Sequence, residues 1–385
     1  MERIRIENIR VGDTPGDTSG DSVLIDGSVI AGIGRISGDV SAEVFDGGGA
    51  TVLPGFIDIH NHGAVGVDVN AADADGLLAV AAFLGRHGVT AWVPTLVPDS
   101  DENYRRIIGE IDRLMELQTG KSVAQALGVH YEGVFANEKM CGALRPQFFK
   151  KFTGSELNGL PRLERGAHVM TFAPEIEGGV ELAAELSRQG WVGSAGHTKA
   201  DAAALDAAFA AGARHMTHFF NAMTGVHHRD LGVAGWGLTK EGVTFDIIAD
   251  GIHVHPEILR MAVGSKGIDG VSLISDSVSP TGLGDGEFEI WGEAVSVENG
   301  RTRNIRGSIA GSVITMHDAF LRMRSLGFSY NEASRMASTN PARLLGLVGS
   351  RGSIEVGKRA DLVGIGLDGS IRFVVVGGML VNSER

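Results

Sequence analysis

His60 and His62 stand two residues apart, directly behind the apolar run Leu53–Ile59. On an extended chain, residues i and i+2 point to the same side, so both imidazoles can converge on one ion. Paired histidines also occur as ordinary surface residues, and this pair alone decides nothing. Four further groups follow apolar, strand-like runs in the same way: Glu132, His197, His218 and Asp276. Any one of them could be a separate surface or capping residue; five runs ending so is a pattern. Imidazole and carboxylate ligands suit one or two divalent transition ions, Zn²⁺, Fe²⁺, Co²⁺ or Mn²⁺, and spacing does not choose among them.

These groups need a frame that brings strand ends together. The apolar runs expected as strands are Leu53–Ile59, Val89–Pro94, Ala126–His130, Val169–Phe172, Val192–Ala195, Arg214–Thr217, Thr244–Ala249 and Val271–Ser275. Helical patterns lie between them. In Asn103–Leu117, for example, Ile107, Ile108, Ile111, Leu114 and Met115 form an i, i+3/i+4 stripe. Eight strands with helical crossovers predict an α/β fold, a closed (β/α)8 TIM barrel whose C-terminal strand ends form the active site. An open doubly wound sheet is the competing arrangement. Both chain ends have another texture, short strands and turns: Ser22–Ile25 and Val29–Ile33 early, Leu362–Ile365, Ile371–Val376 and Met379–Val381 late. They predict a small β-sandwich domain built from residues 1–52 and 350–385, with the barrel spanning 53–349.

Composition bounds the partners. With 47 acidic against 34 basic residues and a net charge of −13, nucleic acid and anionic membranes are disfavoured. An anionic substrate would have to be held by a local basic pocket. Cys141 is the single cysteine, which rules out an intrachain disulfide and makes the cytoplasm the expected compartment. The start, Met1 to Ile6, alternates charged and apolar residues without a signal-peptide core, and no membrane span is expected. The 56 glycines are scattered, as tight turns between short elements require.

The chain resembles the amidohydrolase superfamily, and within it the N-acetylglucosamine-6-phosphate deacetylase family. The resemblance runs through Pro54 to Gly63, His130-Tyr131-Glu132-Gly133, Gly196-His197-Thr198, Thr217 to Met223, and His227-His228-Arg229. It continues through Ala249 to Val254, Ser275-Asp276-Ser277, Ala310-Gly311-Ser312 and the tail Gly357 to Leu362. The tail is common to the superfamily; the Asn221-Ala222-Met223 and His-His-Arg segments are far more specific. The resemblance implies Glu132, His197 and His218 as ligands of one metal, with His60 and His62 available for a second. A bound metal lowers the pKa of its water from roughly 15.7 to about 7. Asp276 would take that water's proton and pass it to the leaving amine. His253 would contact substrate. Asn221, the backbone of Ala222 and Arg229 match phosphate-binding positions, and an Arg fork suits phosphate. His227 and His228 would assist from a neighbouring subunit, since the family it resembles forms dimers; a homodimer is expected.

The expected reaction is deacetylation of an N-acetyl hexosamine phosphate such as N-acetylglucosamine 6-phosphate. The alternatives are another N-acyl sugar, an N-acyl amino acid or a cyclic amide, and, from a different class, a non-catalytic scaffold. The departures bear on substrate. Val134-Phe135 follows Glu132-Gly133 where the family has Glu-Gly-Pro, and Asp230-Leu231-Gly232 stands for Glu-Pro-Gly. Leu144 stands where the family often has a substrate-contacting His or Gln. The expectation is therefore that Arg145 fills that role, meeting an extra anionic group, or that the substrate differs there.

Overall fold

In the computed structural model, which describes residues 3–12, 19–36 and 41–381, the apolar run around Leu53 is cut in two at Gly55. A Cβ at Gly55 would lie 2.1 Å from Cγ2 of Thr90, so only glycine lets the two segments cross so closely. Before the cut, strand Glu43–Pro54 pairs parallel with Arg3–Val11 and antiparallel with Leu362–Ile365. Leu53 and Pro54 thus belong to a terminal sheet rather than to the barrel as the spacing predicted. That sheet has seven strands, in the order Met379–Leu380, Ile371–Val376, Leu362–Ile365, Glu43–Pro54, Arg3–Val11, Ser19–Asp26, Val29–Gly34. Ile6, Ile9, Val23, Val52, Leu362 and Val375 bury against one another in its own core. Met1 and Glu2, at the alternating start, lie outside the described residues.

After the cut come the eight barrel strands: β1 (Phe56–Asn61), β2 (Val89–Leu96), β3 (Gly128–Phe135), β4 (Ala167–Phe172), β5 (Val192–Ala195), β6 (His215–Met216), β7 (Thr244–Ile248) and β8 (Val271–Ile274). Each pairs parallel with the next. An isolated bridge from Asn61 to Ser277 joins the first strand to the segment after the last. The Asp276 N–H to His60 carbonyl and His62 N–H to Ser277 carbonyl bonds, 2.9 and 2.8 Å, tie the same seam.

The crossover helices follow the predicted periodicity. Helix α1 (Ala74–Arg86) starts at Asp73, whose side chain accepts from the Gly76 N–H. Helix α2 (Asp101–Leu117) starts at Ser100, which accepts from the Asn103 N–H; such caps contribute about 1 kcal/mol. All five stripe residues of α2 are buried, joined by Tyr104, and each large apolar side chain so buried stabilises by roughly 1.5–3 kcal/mol.

One element was not anticipated. Between β8 and the helix Met316–Ser325, three antiparallel strands, β9 (Gly286–Ile290), β10 (Glu293–Glu298) and β11 (Arg301–Asn304), form a small separate sheet. Its signal was present: Phe288 and Ile290, then Val295 and Val297, alternate with polar residues. No helix among the described residues is long and apolar enough to cross a membrane.

Candidate metal centre

The site grows from strand ends that turn sharply. His197, His218 and Asp276 have φ of 47°, 30° and 49°, a left-handed conformation uncommon outside glycine. Such a turn swings the side chain over the mouth of the barrel instead of along its strand. Local contacts hold each turn. Both the N–H of His218 and Nε2 of His215 meet the buried carboxylate of Asp246. Glu175 accepts from Thr198 Oγ1, from the Lys199 N–H at 2.7 Å and from Asn137 Nδ2 at 2.8 Å, pinning the segment after His197. Ser275 Oγ and Asn61 Nδ2 donate to Asp58 at 2.5 and 3.1 Å, beside the Asp276 turn. Glu175, His215 and Asp246 carry no motif in the sequence, and only the fold brings them to these turns.

Glu132 lies within β3, not after it as expected, because the strand runs on to Phe135 with a register shift past Glu132. Gly133, at φ 74°, makes that bend. The Glu132 carboxylate is the hub. Its Oε1 is 2.9 Å from His197 Nε2 and 3.1 Å from His218 Nε2, and Oε2 is 3.2 Å from His62 Nε2. His60 and His62 approach each other at 3.1 Å through Nε2, and Asp276 Oδ1 lies 3.4 and 3.3 Å from the two rings. Two overlapping triads, His60–His62–Glu132 and Glu132–His197–His218, each have donor atoms within 4.8 Å of one another. All six groups are buried.

This donor set fits a cation. Nδ1 of His197 faces the Met140 carbonyl at 2.8 Å and Nδ1 of His62 faces the Thr95 carbonyl at 3.2 Å. A carbonyl only accepts, so Nδ1 carries a proton and Nε2 is the nitrogen turned inward, open to a metal ion or to a second proton. His197 Nε2 and His218 Nε2 are 3.0 Å apart; lone pairs and carboxylate oxygens that close require positive charge between them. The acid–base behaviour says the same. Burial alone would lower His62 and His218, but the Asp276 and Glu132 carboxylates carry His62 up to about 10, and Glu132 carries His218 up to about 9. Burial would raise Glu132, yet the surrounding imidazoles hold it well below the usual carboxylate range. The cluster of acidic and imidazole groups is one that a divalent metal satisfies.

A cavity of about 300 Å³ opens onto the cluster, and Leu144, Asn221, Ala222 and His253 line it together with Trp291. Asp250 orients His253, accepting from Nδ1 at 2.6 Å. The Asn221 side-chain amide donates to the His218 carbonyl at 3.1 Å. Three expected residues stand elsewhere. His228 and Arg229 do not line the cavity; both are exposed, and Arg229 Nη1 lies 2.6 Å from His228 Nε2. Arg145 is also absent from the lining: its guanidinium is committed to Asp99 at 2.7 Å and lies over the Phe148 ring at 5.0 Å. A guanidinium neutralised in this way does not replace the family's His or Gln, so that expectation is corrected. The residue at that place is Leu144 itself, 2% exposed.

Residues 51–381 match the model of the amidohydrolase family. The chain is 35% identical over 349 residues to the N-acetylglucosamine-6-phosphate deacetylase of Bacillus subtilis, covering 88% of this chain and 86% of that protein. The chain belongs to the N-acetylglucosamine-6-phosphate deacetylase family of the amidohydrolases. It is also similar, at 34% identity over 86% of this chain and 88% of that protein, to the N-acetylgalactosamine-6-phosphate deacetylase of Escherichia coli O157:H7. Among solved structures, a mutant N-acetyl-D-glucosamine-6-phosphate deacetylase of Mycobacterium smegmatis, in complex with N-acetyl-D-glucosamine-6-phosphate, superposes with a TM-score of 0.88 at 29% identity over 99% of both chains. The Pasteurella multocida N-acetylglucosamine-6-phosphate deacetylase gives 0.90 at 25% identity, over 98% of this chain and 99% of that one. The fold seen across these members is the barrel described above.

Proposed function

We propose that the chain hydrolyses the N-acetyl amide of a hexosamine phosphate such as N-acetylglucosamine 6-phosphate, releasing acetate and the free amine. The observation that carries this reading is the convergence of His197, His218 and Glu132 with Asp276 inside one cavity. Glu132, His197 and His218 would hold one divalent ion, and His60 and His62, sharing Glu132, a second; the borderline donor set favours zinc. A divalent ion there supplies a Lewis acid and makes water a nucleophile near neutral pH.

The chain's own residues would do the rest. Asp276 accepts the proton of the attacking water and returns it to the amine nitrogen as the C–N bond breaks, so water is consumed and no proton is lost. Held below its ordinary range by His60 and His62 against the opposing effect of burial, Asp276 starts as the carboxylate this role needs. His253, fixed by Asp250, positions the substrate. Asn221 and Ala222 receive the phosphate inside the cavity, and Arg229 meets it from the exposed rim. Exposed Val226 and Leu231 flank the His228–Arg229 segment, and this supports a homodimer in which that loop lies at the interface. The single cysteine, Cys141, supports a cytoplasmic location.

The experiment that tests the reading is acetate release from N-acetylglucosamine 6-phosphate, N-acetylgalactosamine 6-phosphate and their unphosphorylated forms. The expected result is turnover of at least one phosphorylated sugar in preference to its unphosphorylated form. Equal rates with and without phosphate would move the assignment to another N-acyl compound.

A further inference from the structure

The unanticipated sheet places its hairpin tip in the cavity. Ile290 pairs with Glu293, so the tip is the two-residue turn Trp291-Gly292. Both central residues have positive φ, 52° and 81°, as a two-residue I′ turn demands. Asn or Gly normally takes the first of these positions, and a bulky residue there is an outlier. The chain nevertheless keeps its largest kind of side chain at this point, and the buried indole Nε1 has no hydrogen-bond partner. What the ring meets is the metal centre: it stands edge-on to His62, centroids 5.1 Å apart at 75°.

Trp291 continues an apolar wall. It packs with Ala143 against the cluster of Val278, Ile290, Val295 and Ala310. Arg306 Nη2 donates to the Ala143 carbonyl at 3.2 Å, fastening the sheet to the loop that carries Leu144. Leu144 in turn presses on the Glu132–Gly133 bend, its Cδ1 2.4 Å from where a Cβ on Gly133 would sit. The wall therefore flanks His62 and Glu132. The polar residues Asn221 and His253 belong to other loops of the same cavity, after β6 and β7.

An amide carbonyl drawn to the metal centre has two substituents, a polar sugar and an acyl tail, and the tail, which carries no group needing a hydrogen bond, is the one that this apolar wall suits best. We propose that Trp291, with Leu144, closes the acyl end of the cavity and restricts the enzyme to short acyl groups. This rests on the N-acyl amino-sugar reading above and deepens it, by naming the residue that sets the length of acyl group the site accepts. Trp291 is then a specificity-determining residue, in contact with the acyl carbon chain.

The test compares N-acetyl, N-propionyl and N-butyryl glucosamine 6-phosphate on wild type, Trp291→Gly and Trp291→Phe. Glycine suits the positive φ of the turn, so the hairpin keeps its form, and thermal melts verify it. One methylene in an apolar pocket is discriminated roughly 10–200-fold. Wild type should lose about that much kcat/KM per added methylene. In Trp291→Gly the butyryl-to-acetyl ratio should rise at least tenfold, with Trp291→Phe between the two. Affinities of the three compounds for Asp276→Asn, with and without Trp291→Gly, should move in the same direction, which separates binding from turnover. A ratio unchanged by Trp291→Gly, with all three compounds falling together, would overturn the acyl assignment alone. Failure of wild type to bind or turn over any of the three would overturn the functional reading and this inference with it.

Discussion

At the C-terminal end of the barrel, His197, His218 and Asp276 hold positive φ, each such residue costing about 1–3 kcal/mol, and their polar atoms turn toward one another around a cavity of about 300 Å³. At the opposite end a cavity of about 630 Å³ is lined by Arg214, Thr244, Ser272 and Arg343 near the strand starts. Of its lining only Gly242 has a positive φ. Several of its charges are matched: Lys240 pairs with Asp206, and Arg343 shares Asp269 with Arg335, which lies outside the lining. The larger space is thus the relaxed one, and the smaller space is where backbone strain and inward-facing lone pairs concentrate. Chemistry in this fold is marked by unmatched groups held under strain, and volume is a poor guide to it.

The largest effect should come from removing the group proposed to move protons. Asp276→Asn keeps the shape but cannot accept a proton, so kcat should fall roughly 10²–10⁴-fold while the fold and metal content stay unchanged. Elemental analysis beside the kinetics checks this. His218→Ala should instead lower metal content itself. Near wild-type kcat in a metal-loaded Asp276→Asn variant would mean that the proton is carried elsewhere, and the contrast between the two ends would lose its chemical meaning.

Much of this end was readable before the structure. Alternation over two residues makes His60 and His62 share a side whatever the fold, and an apolar run followed by a polar residue marks a strand end. The α2 stripe from Ile107 to Met115 is equally local and is buried as expected. What escaped was set by distant contacts. Gly55 breaks its run because Thr90 presses on it, and nothing near residue 55 announces that. Asp246 and Glu175 look like ordinary acidic residues until the fold brings His218 and Thr198 to them. Arg145 was misjudged because Asp99, its partner, lies forty-six positions away in sequence. The hairpin bearing Trp291 did carry an alternating pattern, but its place beside His62 depends on packing with Ala143.

The rim of the active end gives the next test. Arg229 is exposed and outside the cavity lining, whereas Asn221 and Ala222 are inside it. If Arg229 serves the phosphate from the rim, Arg229→Ala should raise KM for a phosphorylated sugar roughly tenfold or more, as loss of a charge-assisted contact implies. The unphosphorylated sugar should be much less affected. Equal changes on both substrates would make Arg229 a structural residue of the exposed loop and confine recognition to the cavity interior.

The smallest effect is expected at the relaxed end, from Arg343→Ala. The Arg343 side chain is 48% exposed and lies 3.7 Å from Asp269, itself 58% exposed. Pairs of this kind contribute about 0–1 kcal/mol, because water and salt screen them and two long side chains must be ordered to form them. Asp269 would keep Arg335 as a partner, so no charge is left stranded. Arg343 also donates to Asn340 Oδ1 at 3.1 Å, but the Asn340 side-chain amide is held independently by the carbonyls of Ile268 and Val271 at 2.7 and 2.6 Å. The melting temperature should therefore drop only slightly, with the drop vanishing at high salt, and kcat/KM should equal that of wild type. A substantial loss of kcat/KM with an unchanged melting temperature would show that the two ends of the barrel are coupled. The division drawn between a strained, working end and a relaxed, structural one would then be wrong.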